Sequence, residues 1–181
     1  PALPATIVAL VQPLPVISPD KYRQGVGVSL FPFTAAKTGG LKERVKSCNF
    51  LANVVVREMA LRQGSFEGIF LEGKNKVTEG TISNVFIVKD GVLKTPKPGP
   101  LVLRGVTRRV TLEIAREKKV SCSEGPLTRD DVYRADEVFI TNSIIEILPV
   151  TRVDQRTIGR GKPGKITRAL HRAFSRIVDG L

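Results

Sequence analysis

The pattern of apolar and polar residues alternates between the two-residue period of strands and the 3.6-residue period of helices. Strand patterns occur in GVGVSLF, GIFLEG, KVSCSEG, EVFITNS and ILPVTRV. Helical patterns occur in NFLANVVVREMALRQG, LRGVTRRVTLEIAREKK, LTRDDVYRA and the segment that follows Pro163. Strands and helices mix without strict βαβ alternation, and no internal repeat occurs. The pattern therefore predicts an α+β domain.

Turn and capping residues refine the element boundaries. Asp90-Gly91 divides SNVFIVKDGVLKTP into a predicted β-hairpin. Gly64 is placed to close the first long helix, and Thr128 to cap the short one. Two helices are each expected to bury one apolar face, Val106, Val110 and Ile114 in one, and Ile166, Leu170, Phe174 and Ile177 in the other, which Pro163 opens.

The first twenty residues differ from the rest. TIVALVQ has the pattern of a strand and is bordered by prolines, and SPDKY is typical of a linker. The apolar start lacks a basic region and is interrupted by prolines, so it predicts neither a signal peptide nor a membrane span. We therefore divide the chain into a strand and linker at 1–20 and a folded domain at 21–181.

Composition adds one unusual feature, a net charge of +12 over 181 residues. Trp is absent and only two Tyr occur, so no aromatic and basic platform for bases is visible. We expect no nucleic-acid partner, whereas a small ligand with a phosphate group suits the charge. Cys48 and Cys122 form no CxxC pair, which predicts no disulfide framework, no metal site and a cytoplasmic location. The alternative is a non-catalytic domain that binds through its basic surface.

Lys46 lies in ERVKSCNFLANVVV, just ahead of a predicted helix where Ser47 is a candidate cap. The positive end of the helix dipole and the apolar neighbours would both favour a neutral, nucleophilic amine of the kind that forms Schiff bases. Taken alone, the pattern is more typical of a solvated surface lysine.

Glu79 lies among small and apolar residues in VTEGTISNVFIV, immediately before a predicted strand. A buried carboxylate needs a cationic partner because an unpaired buried charge is costly. A protonated ring nitrogen would serve as that partner. The alternative is a structural glutamate in a β-turn.

Two further segments could bind an anion. In LRGVTR, Gly105 frees the backbone, and Val106 and Thr107 begin a predicted helix, so amide groups and a hydroxyl point at an incoming phosphate. In FITNSIIEILPV, a buried strand ends in Thr141, Asn142 and Ser143. An ordinary helix start with a Thr cap and an ordinary polar strand end are the alternatives.

In their order and spacing, KSCN, TEGTISNVF, LRGVTR, ITNSIIEILPV and IGRGKPGKIT resemble the signature series of the class IV, fold-type IV aminotransferases, which use pyridoxal 5'-phosphate (PLP). The family includes branched-chain aminotransferases, D-amino-acid aminotransferases and aminodeoxychorismate lyases. The resemblance extends from about Gly25 to the C-terminus. It implies the larger, C-terminal domain of these enzymes, with a mixed sheet or barrel-like core flanked by helices.

The resemblance also implies roles for individual residues. Lys46 is the catalytic residue that forms the Schiff base with PLP and moves a proton between the substrate α-carbon and the cofactor C4′. Glu79 pairs with the pyridinium nitrogen and keeps it protonated. The other cofactor-binding positions are Ser83, Asn84, Leu103, Gly105, Val106, Thr107, Asn142 and Ser143. Ser143 and Ile144 are implied for the substrate carboxylate, whereas His171 has no partner motif and is expected to be structural.

The implied function is a ping-pong transfer of an amino group between an amino acid, branched-chain or D-configured, and a 2-oxo acid, by a homodimer. Phe50 lies where branched-chain enzymes carry a tyrosine, and the KSCNF spacing is closer to the D-amino-acid aminotransferase and lyase branches. Glu146 fits the aminotransferase form of its motif. Aminodeoxychorismate lyase, which gives 4-aminobenzoate and pyruvate, is the alternative within the family.

One departure concerns the N-terminal side. Family members carry a smaller N-terminal domain of about a hundred residues, which supplies an arginine to the cofactor phosphate. Only residues 1–45 precede Lys46 here. We therefore expect either a fragment or a chain whose remaining part is supplied separately, with residues 1–20 as the remnant of that domain.

Overall fold

The computed structural model describes residues 6–32, 46 and 48–180. The helices are α1 (Pro19–Gln24), α2 (Leu51–Arg62), α3 (Val106–Glu117), α4 (Arg129–Tyr133) and α5 (Lys165–Asp179). The strands are β1 (Val26–Phe31), β2 (Glu67–Glu72), β3 (Lys76–Gly80), β4 (Asn84–Lys89), β5 (Val92–Thr95), β6 (Cys122–Glu124), β7 (Leu127–Thr128), β8 (Glu137–Asn142), β9 (Glu146–Val153) and β10 (Arg156–Thr157).

The described strands form one mixed sheet in the order β6-β5-β4-β8-β9-β1-β2-β3-β7, with β10 paired to β9. β1 runs parallel to both β2 and β9, and β5 runs parallel to β6. The other pairs are antiparallel, including the predicted hairpin of β4 and β5. The predicted α+β class with a mixed sheet is confirmed.

The sheet curls around its own apolar interior. Strands from both halves, β1 to β3 on one side and β4, β8 and β9 on the other, contribute to a single buried cluster that includes Val28, Ile69, Val85 and Ile140. A sheet whose distant strands share one cluster must bend toward itself, which matches the predicted barrel-like core.

Helices cover the outer face of the curved sheet. α3 and α5 pack on β4, β8 and β9 in a second cluster that contains Phe86, Phe139 and Leu170. α2 covers β1 and β2 in a smaller cluster. The sheet is therefore buried on both faces where the helices lie.

Glu137 of β8 fixes the start of α5. Its carboxylate accepts hydrogen bonds from Ile166 N at 3.1 Å, Thr167 N at 2.7 Å and Thr167 Oγ1 at 2.6 Å. α5 begins at Lys165 with Gly164 as N-cap, two residues beyond the predicted start at Pro163. Gly164 supplies no side-chain cap, so a carboxylate from the sheet satisfies the first helical amides instead.

Several predicted local signals are confirmed. Asp90 and Gly91 both have positive φ in the β4–β5 turn. Gly64 has a φ of 71° and donates to Leu61 O, while Ser65 N donates to Ala60 O, which together form a Schellman motif after α2. Thr128 caps α4 through a capping box with Asp131.

The N-terminal predictions were wrong in two respects. TIVALVQ pairs with no strand of the described chain, and its apolar side chains are exposed. An isolated extended segment has no partner for its backbone groups, so pattern alone does not make it a strand. SPDKY begins helix α1, because Ser18 caps it and Pro19 occupies its first position.

His171, which was expected to be structural, joins α5 to α1. Its ring stacks on Tyr22 with centroids 4.7 Å apart, and Nε2 lies 3.3 Å from Glu146 Oε2. Burial lowers the pKa of His171, while Glu146 acts in the opposite direction. Tyr22 also donates to Ile145 O.

The predicted apolar face of α3 is only partly correct. Ile114 is buried, whereas Val106 is 68% exposed and Thr107 and Thr111 point inward in its place. In α5, Leu170 and Phe174 are buried as predicted, but Ile177 is exposed. Within the described part of the chain, none of the helices has the length and apolar character needed to cross a membrane.

Candidate cofactor site

The turn Thr81–Ser83, which joins β3 to β4, is the centre of the candidate site. Its backbone is closed by Gly80 N donating to Ser83 O at 2.7 Å and tied to β2 by Thr81 N donating to Gly68 O at 2.9 Å. Side chains from α2, β2 and β8 also bond to it. The turn therefore joins β3, α2, β2 and the end of β8.

Glu79 lies one residue before the end of β3, inside a strand rather than ahead of one as predicted. Its side chain is only 5% exposed, and Leu103 N donates to Oε2 at 2.6 Å. This bond joins Glu79 to the segment that leads into α3. The carboxylate is thus buried, oriented and close to Leu103, a predicted cofactor-binding residue.

Asn84 holds the same segment from the next strand. Its Nδ2 donates to Leu103 O at 3.0 Å. Gly105 packs so closely on Asn84 that a Cβ at position 105 would overlap Asn84 Oδ1. The entry to α3 is therefore fixed between Glu79 and Asn84.

The N-terminus of α3 is suited to bind an anion. Gly105 is its N-cap and provides no side-chain hydrogen bond to the first turn. The first amides of a helix have no intrahelical acceptors, and they carry the positive end of its dipole. Thr107 is buried beside them, whereas Val106 faces outward.

The end of β8 completes this side of the site. Asn142 donates to Ile82 O at 3.2 Å and accepts from Ile144 N at 2.8 Å and Ile145 N at 2.9 Å. The Ile144 amide is therefore already bonded and would have to leave Asn142 to reach a substrate carboxylate. Ser143 lies exposed in the same turn.

Thr141 provides an independent sign of a ligand. Its Oγ1 is buried, and no atom of the described residues forms a hydrogen bond with it. Thr141 pairs directly with Asn84, so both side chains lie on one face of the sheet. An unpaired buried hydroxyl is costly, and here it lies on the same face as the side chain that packs on the N-cap of α3.

Lys46 is exposed, and α2 begins five residues later at Leu51. The prediction that Lys46 lies at the mouth of this helix was wrong, and the dipole acts only within the first turn. The predicted cap Ser47 lies outside the described residues. α2 nevertheless reaches the turn, because Asn53 Nδ2 donates to Thr81 O at 2.6 Å.

Two residues that shape the site were not predicted from the sequence. Asn53 is buried within the apolar run LANVVV, and a polar residue there was the available signal. Glu67 is fully buried at the start of β2 and accepts from Ile82 N at 2.7 Å and from Ser83 Oγ at 3.0 Å. The predicted strand began one residue later, which left Glu67 outside it.

The arrangement offers a buried carboxylate at Glu79, a helix N-terminus at α3, and the Thr141 hydroxyl, which bonds to none of the described residues. Ser83 and Asn84, predicted to bind cofactor, form hydrogen bonds to Glu67 and Leu103 in this structure. Among the residues that the structure describes, no group of three or more His, Cys, Asp or Glu side chains could hold a metal ion.

Comparisons with known proteins show which family the chain resembles. The model of the family described as amino-transferase class IV matches residues 1–153. The chain is 38% identical over 160 residues to the D-alanine aminotransferase of Bacillus licheniformis, covering 88% of this chain and 55% of that protein. It spans about half the length of the curated relatives that it matches.

Solved structures show the same fold. The Escherichia coli branched-chain amino acid aminotransferase superposes with a TM-score of 0.83 at 33% identity, over 88% of this chain and 53% of that one. The branched-chain amino acid aminotransferase of Thermobaculum terrenum, in its PLP-form, superposes with a TM-score of 0.83 at 30% identity, over 92% and 55% of the two chains.

Proposed function

Because the chain belongs to the amino-transferase class IV family, we propose that it forms the cofactor-binding part of a PLP-dependent aminotransferase. The reaction would transfer an amino group between an amino acid and a 2-oxo acid in two half-reactions. The observation that carries this proposal is the hydrogen-bonded network that joins Glu79, Leu103, Asn142 and α2 around the turn Thr81–Ser83.

The residues present fit the cofactor. When bound, PLP supplies an electron sink for the carbanion that forms at the substrate α-carbon. Lys46 Nζ would bind the cofactor aldehyde covalently with loss of water, would be released when the substrate amine takes its place, and as a free amine would then carry the proton at the α-carbon. Its exposed side chain leaves the amine accessible to cofactor and substrate.

Glu79 would hold the proton on the ring nitrogen of the cofactor. Its burial strengthens that ion pair, because a partner in low dielectric is screened less than one in water. The Leu103 amide orients one carboxylate oxygen. Leu103 itself would then pack on the face of the ring.

The phosphate would bind at the start of α3. The amides of Val106 and Thr107 and the Thr107 hydroxyl are the proposed donors, with Gly105 allowing close approach. The unpaired Thr141 hydroxyl supports an acceptor near this position. Ser143 remains the proposed donor for the phosphate and the substrate carboxylate.

The assignment of Lys46 can be tested by borohydride reduction of the protein incubated with PLP. We expect a yellow protein with visible absorbance and, after reduction and digestion, a phosphopyridoxyl group on Lys46. The control variant Lys118→Ala should label normally, since Lys118 is exposed at the other end of α3. Labelling of another lysine in the wild type would contradict the assignment.

The relatives named above are aminotransferases for branched-chain amino acids or D-alanine, which favours transamination over the lyase reaction. Both kinds of substrate should therefore be assayed with 2-oxoglutarate as acceptor. Release of pyruvate and 4-aminobenzoate from aminodeoxychorismate without any 2-oxo acid would instead identify a lyase.

We also propose a homodimer. Its support is the outer side of α2, where Leu51, Val54, Val55 and Met59 are exposed, since apolar clusters of this kind mark interaction surfaces. Light scattering coupled to gel filtration should give twice the chain mass, and a monomer would contradict it. The division at residue 20, with 21–181 as the cofactor domain, and the cytoplasmic location are proposals that rest on the sequence.

A further inference from the structure

We propose that Glu67 is a positioning residue of the candidate site, because its buried carboxylate holds the turn Thr81–Ser83 and thereby fixes Glu79. The role of Glu79 rests on the proposed function, whereas the hold on the turn does not. Glu67 lies on β2, so it belongs to none of the segments that the sequence motifs identified.

The carboxylate of Glu67 accepts three hydrogen bonds from a single turn. Oε1 accepts from Ile82 N at 2.7 Å and Thr81 Oγ1 at 3.2 Å, and Oε2 accepts from Ser83 Oγ at 3.0 Å. All three residues of the turn therefore donate to Glu67. A carboxylate that is 0% exposed cannot be replaced by bulk water in these bonds.

Gly80 connects Glu79 directly to the turn Thr81–Ser83. A Cβ built on Gly80, the residue after Glu79, would overlap both Glu67 Oε1 and Ser83 Oγ. The carboxylate of Glu67 thus packs against the backbone next to Glu79. Only glycine leaves this space, and displacement of Glu67 would free the end of β3 to move.

The protonation state of Glu67 decides which substitution can keep these hydrogen bonds. Burial raises the pKa of Glu67, while its three hydrogen bonds and the charge of Arg57 act in the opposite direction. A protonated Oε2 could still bond to Ser83 by donating to its hydroxyl. Glutamine at position 67 would keep this geometry, because its carbonyl accepts from Ile82 N and its amide donates to Ser83 Oγ.

Glu137 provides a matched control far from the turn. It too accepts three hydrogen bonds from a single segment, the first residues of α5, and a Cβ on Gly164 would overlap it. Substitutions at Glu67 and Glu137 should therefore perturb two different places by the same chemistry.

The experiment measures amide hydrogen exchange by NMR in the cofactor-free protein, at three amides. Ile82 N reports the bond to Glu67, Leu103 N reports the bond to Glu79, and Thr167 N reports the bond to Glu137. We expect Glu67→Ala to lower protection at least about tenfold at Ile82 and Leu103 but less than about threefold at Thr167. Glu137→Ala should give the reverse pattern.

Rescue separates positioning from general destabilisation. Glu67→Gln should keep protection at Ile82 and Leu103 within about threefold of the wild type, because the acceptor remains. If Glu67→Ala does not fold, Thr81→Val, which removes one donor to Oε1, should lower Ile82 and Leu103 selectively by a smaller factor. Unchanged protection of Leu103, or an equal loss at all three amides, would overturn the proposal.

Cofactor binding adds a second measurement. If Glu79 binds the ring nitrogen, Glu67→Ala should raise the dissociation constant of PLP at least about tenfold, and Glu137→Ala should change it less than about threefold. Equal dissociation constants for Glu67→Ala and the wild type would overturn the link to the cofactor. If the wild type binds no PLP, the proposed function fails, and the exchange pattern still decides whether Glu67 holds the turn.

Discussion

Glu67 and Glu137 each gather three donors from one chain segment, but they lie in different surroundings. Glu137 caps α5, a regular helix, and is only half-buried. Glu67 is fully buried and holds a turn whose other bonds lead to α2, β8 and the entry of α3. The same hydrogen-bonding arrangement therefore stabilises a helix end at Glu137, whereas at Glu67 we expect it to position Glu79.

The largest expected effect is a difference in stability between the alanine variants of Glu67 and Glu137. Glu67→Ala leaves the Ile82 amide and two hydroxyls without an acceptor in a buried place, which should lower the free energy of unfolding by about 3 kcal/mol or more. Glu137→Ala should cost about 1 kcal/mol, because water can reach the first turn of α5. Urea unfolding of both variants measures the difference in the free energy of unfolding. Equal losses for the two variants would contradict the expectation.

The next largest effect on stability is expected from the glycines that pack against the two carboxylates. Gly80→Ala places a methyl group against Glu67 and Ser83, both buried, and should cost about 2–3 kcal/mol through overpacking. Gly164→Ala meets the Glu137 carboxylate, which can move toward solvent, so we expect about 1 kcal/mol. Thermal unfolding of the pair is the measurement. A smaller loss for Gly80→Ala than for Gly164→Ala would show that Glu67 is free to move.

The stability of the folded protein should also depend on pH through Glu67. Burial raises the pKa of Glu67 in the folded protein above its ordinary value of 4.5. A raised pKa gives a contribution to stability that is fully present below about pH 4.5 and is lost as the pH rises through the folded value. The wild type should therefore lose stability relative to Glu67→Gln as the pH is raised above about 4.5, which measurements from pH 5 to 8 would follow. A constant difference in urea unfolding across this range would contradict the expectation.

The smallest expected effect concerns the link between α2 and the turn. Asn53→Ala removes the bond to Thr81 O and should cost about 1 kcal/mol. Ser175→Ala, which removes a partly buried bond from α5 to Glu146 and none to the turn itself, is the control and should cost less. Amide exchange at the turn should rise for Asn53→Ala and stay unchanged for the control.

Local sequence signals predicted local structure well, because each is decided by a few neighbouring residues. The Asp90-Gly91 hairpin, the motif at Gly64 and the capping box at Thr128 all formed where expected. The α+β class followed from the order of the patterns, and the mixed sheet from the family resemblance. Signals that depend on a tertiary partner failed, as for TIVALVQ, which finds no strand in the described chain to pair with.

For the candidate site, motif spacing identified the segments but not the bonds between them. The position of Lys46 outside the helix and the burial of Thr107 in place of Val106 depend on how α2 and α3 pack on the sheet. Glu67 was missed because a lone acidic residue before an apolar run gives no sign of the three donors that reach it from residues 81–83.

The pairing of β1 with β9 also has a kinetic consequence. Val26 pairs with Val150, and Leu30 N donates to Asp154 Oδ1, 124 positions along the chain. All the proposed site residues lie between these strands in sequence, so their assembly requires closure of a long loop and is slowed by its entropy. We therefore expect the β4–β5 hairpin to form early during folding and the cofactor site to assemble among the last elements.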